Sequence, residues 1–182
     1  MPLSSPVARE HLHTRRIVCE GFRRDDGLWD IEARMTDTKT YGFDNRHRGH
    51  IEAGEPVHDM WLRLTLDEDF VVHGVEAVTD AAPFAVCPAI TPQFAKLEGL
   101  RIGPGWTGQV KQLLGGTAGC THLVELLRPL ATTAVQTIRG KRRDGKPDDA
   151  PRKRPAHLDT CHALRTDGEV VKEHWPEFYT GP

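Results

Sequence analysis

The sequence predicts an α+β fold, in which an antiparallel sheet of about four strands packs on one face against helices. Between residues 10 and 80, apolar and polar residues alternate in two separate stretches, and each stretch is joined through a turn to a second strand-forming stretch. Between residues 84 and 138, apolar residues recur at helical spacing, which predicts the helical layer. With 182 residues, the chain is expected to form a single domain.

The first hairpin is predicted between residues 10 and 38. Its first strand extends from Thr14 to Phe22, and Asp25-Asp26-Gly27 supplies the turn because glycine adopts positive φ without strain. The returning strand has one buried and one exposed face, since its apolar residues occupy alternate positions: Trp29, Ile31, Ala33 and Met35.

The second hairpin follows a polar segment, residues 41–55, which has no periodicity and is predicted to be a surface loop. Alternating apolar residues from Met60 to Leu66 indicate one strand, and Asp67-Glu68-Asp69 indicates the turn. The stretch from Phe70 to Thr79 is the returning strand. The two hairpins together supply the strands of the predicted sheet.

Three helices are predicted after the sheet. A short helix is entered through Cys87-Pro88 and ends at Leu97, because proline is tolerated in the first turn of a helix. A second helix covers Trp106–Leu114 and stops at a pair of glycines. The longest helix opens at Cys120 and reaches Ile138.

Three features modify this helical part. Pro129 lies inside the longest helix and is expected to kink or split it. Residues 139–156 are rich in charged residues, glycine and proline, and are predicted to form a mobile loop. Residues 157–182 regain apolar residues and are predicted to form a tail docked on the core.

The composition restricts the classes of function. Hydrophobic residues make up 38% and charged residues 27%, as in a soluble protein, and no apolar run is long enough to cross a membrane. The formal net charge of -2 argues against a nucleic-acid partner. The first residues lack the pattern of a secretory signal, so a cytoplasmic location is expected. In that compartment, cysteines are expected to be thiols or metal ligands.

A glycine-rich segment, Gly115 to Gly119, leads into the longest predicted helix. Cys120 and His122 are therefore expected in its first turn, where unpaired backbone N–H groups and the helix dipole favour a thiolate. A thiolate in this position suits metal binding or nucleophilic attack. The alternative is a small buried cysteine at a tight helix entry.

Several runs along the chain carry a resemblance to a known family. They are HTRRIVCEGF, DDGLWDIEARMTDTK, GEPVHDMWLRLTL, AVTDAAPF, LRIGPGW and GGTAGCTHLVELL. Through these runs, the chain resembles the bacterial family catalogued as domain of unknown function 2889. This resemblance implies no particular chemistry, because the family label names none.

The order of features from Glu55 to the end of the longest helix is similar to the amino-terminal iron–sulfur scaffold family of the NifU type. In that family, a cysteine and an aspartate precede a strand hairpin, a second cysteine follows it, and a third opens the last long helix. Here His58-Asp59, Cys87 and Cys120 take these places. Val57 stands where the first scaffold cysteine is expected, so the resemblance implies a closed or catalytic single-metal site rather than a scaffold that releases a cluster.

Asp59, Cys87 and Cys120 are the metal ligands that follow from this resemblance, and His58 or His122 completes or supports the set. Thiolate, imidazole and carboxylate ligands suit Zn or Fe, and three protein ligands leave one position open for water or substrate. In the alternative interpretation, both cysteines are buried structural thiols and Asp59 caps a strand or a turn.

The expected function is that of a small metal-dependent enzyme acting on an apolar or aromatic small molecule, and a lyase that eliminates a group or cleaves a carbon–carbon bond is preferred. The metal polarises a substrate oxygen, and whichever of His58, His122 and Asp59 does not bind the metal moves the proton. Arg101 holds an anionic group of the substrate or, alternatively, forms a surface ion pair. The predicted lining is aromatic, although its tryptophans also suit a core or an interface: Tyr41, Trp61, Phe84 and Trp106.

Two functions of other classes stay open. One is a binding protein that carries a metal or an iron–sulfur cluster, and the other is a metal-free enzyme in which Cys120 is a redox or nucleophilic thiol. The chain contains none of the motifs H-E-x-x-H, G-x-S-x-G and C-x-x-C, and no phosphate-binding glycine loop followed by lysine. The aromatic tail, from Trp175 to Tyr179, suits a homodimer.

Overall fold

The computed structural model describes residues 3–142, 154–155 and 157–182. The chain divides into two compact units, Met1–Asp144 and Gly145–Pro182. The first unit contains the sheet and the long helices, and the second contains only short helical turns among its described residues. The α+β prediction is confirmed, whereas a single domain and a docked tail stay predictions.

A four-stranded antiparallel sheet forms the centre of the first unit. Its strand order is β1-β2-β5-β6, so each strand pairs with its neighbour in the chain apart from a short insertion between β2 and β5. The two predicted hairpins are therefore both present. The four strands are β1 (His13–Arg23), β2 (Trp29–Lys39), β5 (Pro56–Leu66) and β6 (Val72–Ala81).

The insertion holds a small two-stranded ribbon within the segment predicted to be a loop. Its strands are β3 (Phe43–Asn45) and β4 (Gly49–Ile51), and Gly49 adopts a positive φ of 74° in the turn between them. Ile51 is fully buried. The loop prediction was wrong here because three-residue strands are too short to show an alternation of apolar and polar residues.

The helical layer begins with a helix over Cys87–Leu97, where the sequence predicted a short helix, and this helix is of the 3₁₀ type. Two prolines, Pro88 and Pro92, lie in this segment and lack the N–H groups that an α-helix requires. Helix α1 (Trp106–Leu114) follows as predicted.

Helix α2 (Thr121–Arg142) is the longest helix and continues past Pro129. The expected split is therefore absent, and residues 139–142 belong to this helix rather than to the predicted mobile loop. Residues 143–153 and 156 of that loop lie outside the described part of the chain. In the second unit, helix α3 covers Glu169–His174.

The core lies between the helical layer and one face of the sheet, which we call the inner face. Inner-face residues are odd-numbered in β2 and even-numbered in β5. Helix α2 lies close to β1 at Gly21, where an added Cβ would lie 2.0 Å from Thr137 Oγ1. Glycine at this position therefore allows the helix to cover the strand. Within the described residues, no helix has the length and apolar character needed to cross a membrane.

Candidate functional site

One end of the inner face is polar. The apolar inner-face residues of β2 end at Met35, and the next residue of the same parity is Asp37. In β5 the corresponding series begins at Met60, and the preceding residue of the same parity is His58. Asp37 and His58 are directly opposite each other in the β2–β5 pairing. The sheet therefore places a carboxylate beside an imidazole at the end of the core.

Asp37 is a buried carboxylate that accepts hydrogen bonds with both oxygens. Arg15 Nε donates to Oδ1 at 2.8 Å and Arg15 Nη2 donates to Oδ2 at 2.8 Å, a bidentate pair. His58 Nδ1 lies 2.9 Å from Oδ2, and His13 Nε2 lies 3.2 Å from Oδ1. The Asp37 carboxylate of β2 is therefore surrounded by His13 and Arg15 of β1 and by His58 of β5.

Helix α2 adds a second imidazole to this arrangement. His122 is the second residue of α2, and its ring centroid lies 3.9 Å from that of His58 at an interplanar angle of 36°. Ligand atoms of Asp37, His58 and His122 all lie within 4.8 Å of one another. We call these three residues the Asp37 cluster. Two histidines and one carboxylate form a donor set that suits Zn or Fe.

The protonation states of the cluster suit metal binding. Burial lowers the pKa of His58, and the neighbouring His122 lowers it further against the opposing effect of Asp37. Burial and the charge of Arg15 lower the pKa of His122. Burial alone raises the pKa of Asp37, but Arg15 and His58 outweigh it and hold that pKa below its usual range. Near neutral pH, the cluster therefore presents two neutral imidazoles and one carboxylate.

Arg15 connects this end of the sheet to helix α2. Besides the bidentate pair with Asp37, its Nη1 donates to Glu125 Oε2 at 2.5 Å. The two carboxylates raise the pKa of the Arg15 guanidinium above its ordinary value, so it stays charged. Glu125 lies one helical turn after His122, and this ion pair therefore fixes the helix end that carries His122.

Asp59, which the sequence predicted as a ligand, lies on the opposite face of the sheet. Successive residues of a strand point to opposite faces, so His58 and Asp59 are directed away from each other. Arg34 binds Asp59 through two hydrogen bonds, from Nε at 2.9 Å and from Nη2 at 2.7 Å. The assignment is therefore corrected, because the carboxylate beside His58 is Asp37.

The two predicted thiol ligands do not belong to the cluster. Cys87 begins the 3₁₀ helix, and Cys120 immediately precedes α2 and packs in part against the core. Among the described residues, neither cysteine takes part in the group of metal-ligand side chains that the structure brings together. Of the predicted site residues, the structure unites only His58 and His122.

The predicted tryptophans lie in two different surroundings. Trp61 is on the outer face, where Arg34 stacks over its ring at 4.5 Å and its Nε1 donates to Asp80 at 3.0 Å. Trp106 is buried in the core between the helices and the inner face. Trp61 therefore faces away from His58, and Trp106 is a core residue.

The other predicted lining residues are exposed. Arg101 Nε donates to the carbonyl oxygen of Asp69 at 2.8 Å, and Phe84 contacts the ring of His47. Tyr41 follows β2 at the same end of the sheet as Asp37, and its hydroxyl accepts a hydrogen bond from Lys39 at 3.0 Å. Of these three, Tyr41 is the one that the chain path places at the end of the sheet where the Asp37 cluster lies.

Asp37 and Arg15 were missed by the sequence analysis, although the sequence contains a signal for Asp37. Its position continues the alternation of buried residues in β2, and a carboxylate at such a position is unusual unless it is paired. His58 has the same parity as the apolar inner-face residues of β5, from Met60 to Leu66, although it is only half-buried. No comparable signal exists for Arg15, because its contact with Asp37 depends on the β1–β2 register.

Comparisons with known proteins bear on the family and not on the chemistry. No curated protein and no solved structure matches the chain, so the similarity to the NifU type is not confirmed. A family model described as "Protein of unknown function (DUF2889)" matches residues 13–136, which include every residue of the Asp37 cluster. Because this match covers more than half of the chain and agrees with the sequence runs noted above, the chain belongs to the DUF2889 family.

Proposed function

We propose that the protein is a metal-dependent enzyme of the lyase class that acts on an apolar or aromatic small molecule at the Asp37 cluster. The observation that supports this most directly is the convergence of ligand atoms from Asp37, His58 and His122 to within 4.8 Å of one another. Three protein ligands leave positions open for water or a substrate oxygen, as in catalytic rather than structural metal sites.

The surroundings of the cluster are consistent with a catalytic metal. In metal sites, the ring nitrogen of a histidine that does not bind the metal commonly donates to a carboxylate or a carbonyl group. Carboxylates that bind the metal are commonly held by hydrogen bonds as well. Here Arg15 holds the Asp37 carboxylate through both oxygens, and His58 Nδ1 is directed at that carboxylate. Zn²⁺ or Fe²⁺ would be held by Asp37, His58 and His122.

A lyase needs a group that accepts a proton and an environment that stabilises negative charge on a substrate oxygen. The metal would stabilise the negative charge on the substrate oxygen by acting as a Lewis acid. His13 is suited to accept the proton, because its Nε2 is 3.2 Å from Asp37 Oδ1 and its side chain is 48% exposed at the rim of the cluster. Asp37 would stabilise the imidazolium that forms when His13 accepts the proton.

Aromatic residues at this end of the sheet support an aromatic or apolar substrate. Lys39 lies two residues after Asp37 in β2, and its Nζ is 4.9 Å from the ring centre of Tyr41 and 4.4 Å from that of Phe43. Tyr41 and Phe43 also contact each other edge to face. A half-buried cation with two aromatic rings is a surface that suits an anionic aromatic compound.

Metal binding tests the proposal. Titration calorimetry with Zn²⁺, and with Fe²⁺ without oxygen, should give about one ion per chain for the unmodified protein. His58→Ala and His122→Ala should each weaken binding by roughly 100-fold, because each removes a ligand. Asp59→Asn is the matched control, since it removes a carboxylate next to His58 in sequence but on the opposite face of the sheet.

The same measurement separates the alternatives that involve cysteine. Cys87→Ser and Cys120→Ser should leave the metal content unchanged. If these variants lose metal and the histidine variants keep it, the site is the thiol site of a carrier or scaffold protein, and the proposal is wrong.

A second candidate function rests on the hydrogen bond between His58 Nδ1 and Asp37 Oδ2 at 2.9 Å. A carboxylate that holds one ring nitrogen directs the other toward a substrate, so the pair resembles the acid–base component of metal-free enzymes. An unmodified protein that binds neither Zn²⁺ nor Fe²⁺ would favour this function over the metal-dependent one.

A further inference from the structure

Strand β1 is an open edge of the sheet. In the described residues of the first unit, it pairs with β2 on one side and with no strand on the other. The opposite edge is covered at its first residue, because Val72 of β6 forms backbone hydrogen bonds with the segment after the 3₁₀ helix, from Val72 N to Leu100 O and from Gly99 N to Val72 O, both at 2.8 Å. The two edges therefore differ in their capacity to pair with another strand.

The free backbone groups of β1 can be identified from the ends of the hairpin. Thr40 N donates to Leu12 O and Arg24 N donates to Leu28 O, and the β1–β2 register between these points has no bulge. Even-numbered residues of β1 therefore bond to β2, and odd-numbered residues from His13 to Arg23 direct their N–H and C=O groups to the open edge.

The side chains of β1 do not protect this edge in the usual way. Strand edges are normally blocked by proline, charged side chains (especially lysine) or a bulge. Strand β1 has no proline, lysine or bulge along its length, and its charged residues are Arg15, Arg16, Glu20 and Arg23. Three apolar side chains are instead exposed on it: Ile17 at 38%, Val18 at 54% and Phe22 at 45%. An uninterrupted edge with exposed apolar residues is typical of a strand that pairs with another chain.

We propose that β1 pairs antiparallel with β1 of a second copy of this chain, about a two-fold axis at Val18. In this register, Val18 faces the partner's Val18 and Ile17 faces the partner's Cys19. Arg16 faces the partner's Glu20, and Glu20 faces the partner's Arg16. The two sheets then form one continuous sheet, and this interface does not depend on the proposed function.

Charge complementarity favours this register over those with the axis at Arg16 or at Glu20. An axis at Arg16 or at Glu20 would place two like charges directly opposite each other, which destabilises a strand pair. The axis at Val18 forms two opposite-charge pairs. Facing residues of an antiparallel pair project to the same face of the sheet, so every side chain stays on its own face. The odd-numbered residues with free backbone groups also face one another, so the ladder continues across the interface.

Charge reversal tests the register directly. Sedimentation equilibrium of the unmodified chain should give a dimer. Arg16→Glu alone or Glu20→Arg alone should weaken dimerisation by roughly tenfold or more, since each single change puts like charges opposite each other at two points. The double variant Arg16→Glu with Glu20→Arg should restore the dimer. Thermal unfolding of each variant shows whether the monomer is folded. A monomeric unmodified chain, or a double variant as weak as the single ones, would overturn the proposal.

Cysteine cross-linking gives an independent measurement. Val18→Cys should form an intermolecular disulfide on mild oxidation, because facing residues in a non-hydrogen-bonded antiparallel pair have Cα atoms about 4.5 Å apart. Thr14→Cys is the control, since its residue would face the partner's Phe22 and lie far from the partner's Thr14. Equal cross-linking of the two variants, or none in Val18→Cys, would contradict the register.

Discussion

The two faces of the sheet carry the same kind of ion pair in different surroundings. On the inner face, Arg15 binds Asp37 with both hydrogen bonds at 2.8 Å, and on the outer face Arg34 binds Asp59 at 2.9 and 2.7 Å. Both carboxylates are largely buried, with the Asp37 side chain 4% and the Asp59 side chain 11% exposed. Asp37 also contacts two histidines, whereas the partner of Asp59, Arg34, is 44% exposed and stacks on Trp61.

This difference shows that pairing geometry alone does not identify a functional carboxylate. Both aspartates have a bidentate arginine, so both charges are compensated. Asp37 differs because helix α2 covers its side of the sheet and brings His122 to the neighbouring His58. A helix that excludes water and adds a further ligand turns an ordinary ion pair into a candidate site.

The largest expected difference between the faces is in stability. Asp37→Ala should lower the free energy of unfolding by about 3 kcal/mol, because it leaves a partly buried guanidinium without its main partner. Asp59→Ala should cost about 1 kcal/mol, because Arg34 stays exposed to water and keeps its contact with Trp61. Urea unfolding of the two variants in parallel measures both values.

Arg15→Met with Asp37→Leu serves as the control for this prediction, since it removes both charges together. It should be more stable than Asp37→Ala alone. If Asp37→Ala and Asp59→Ala lower the free energy of unfolding equally, the surroundings of Asp37 have no energetic consequence. The two faces of the sheet then do not differ in stability.

A smaller effect is expected from Trp61→Ala on the outer face. It removes the stacking of Arg34 and the hydrogen bond to Asp80, and should lower the free energy of unfolding by about 1 kcal/mol. Because Trp61 points away from His58, Zn²⁺ affinity should not change. A loss of Zn²⁺ affinity in a variant that unfolds normally would show that the two faces are coupled.

The smallest expected effect is on the pH dependence of stability, measured with a chelator present. His58 and His122 have lowered pKa values in the folded chain, so the unfolded chain binds more protons below about pH 6.5 and stability falls as the pH decreases from 7 to 5. The variant His58→Gln with His122→Gln should reduce this slope, whereas Asp59→Asn should keep it. His50, whose pKa is raised by Asp44, has the opposite sign and is present in every variant.

A second decrease is expected at lower pH. The pKa of Asp37 is held below its usual range, so its contribution is complete above about pH 4 and is lost as the pH falls through the lowered value. Asp37→Asn should reduce this decrease but not abolish it, because the pKa values of Asp26, Asp67 and Asp159 are also lowered and these residues stay in the variant. An unchanged acid transition in that variant would show that Asp37 does not contribute to it.

The alternation of apolar residues predicted the strands because it depends on local geometry. Trp29 to Met35 and Met60 to Leu66 show the period of two in the sequence itself, and the structure places both stretches in the sheet. The same reasoning could not detect β3 and β4, whose strands are shorter than the pattern that it needs.

The alternation of inner-face and outer-face residues along β2 and β5 also indicated part of the site. Asp37 and His58 have the same parity as the apolar inner-face residues of β2 and β5 but are polar, and this signal is present in the sequence itself. The choice of Asp59 came from its place beside His58 in the sequence, which misleads in a strand because neighbours point to opposite faces.

The sequence by itself determined the strands of the four-stranded sheet, the helices that cover it and the buried faces of β2 and β5, because these properties depend on spacing along the chain. Only the tertiary structure decided that Arg15, Asp37, His58 and His122 meet. Their contacts depend on the register of three strands and on the position of α2 over the sheet. Register and helix placement are set by the packing of the whole core, and no short stretch of sequence encodes them.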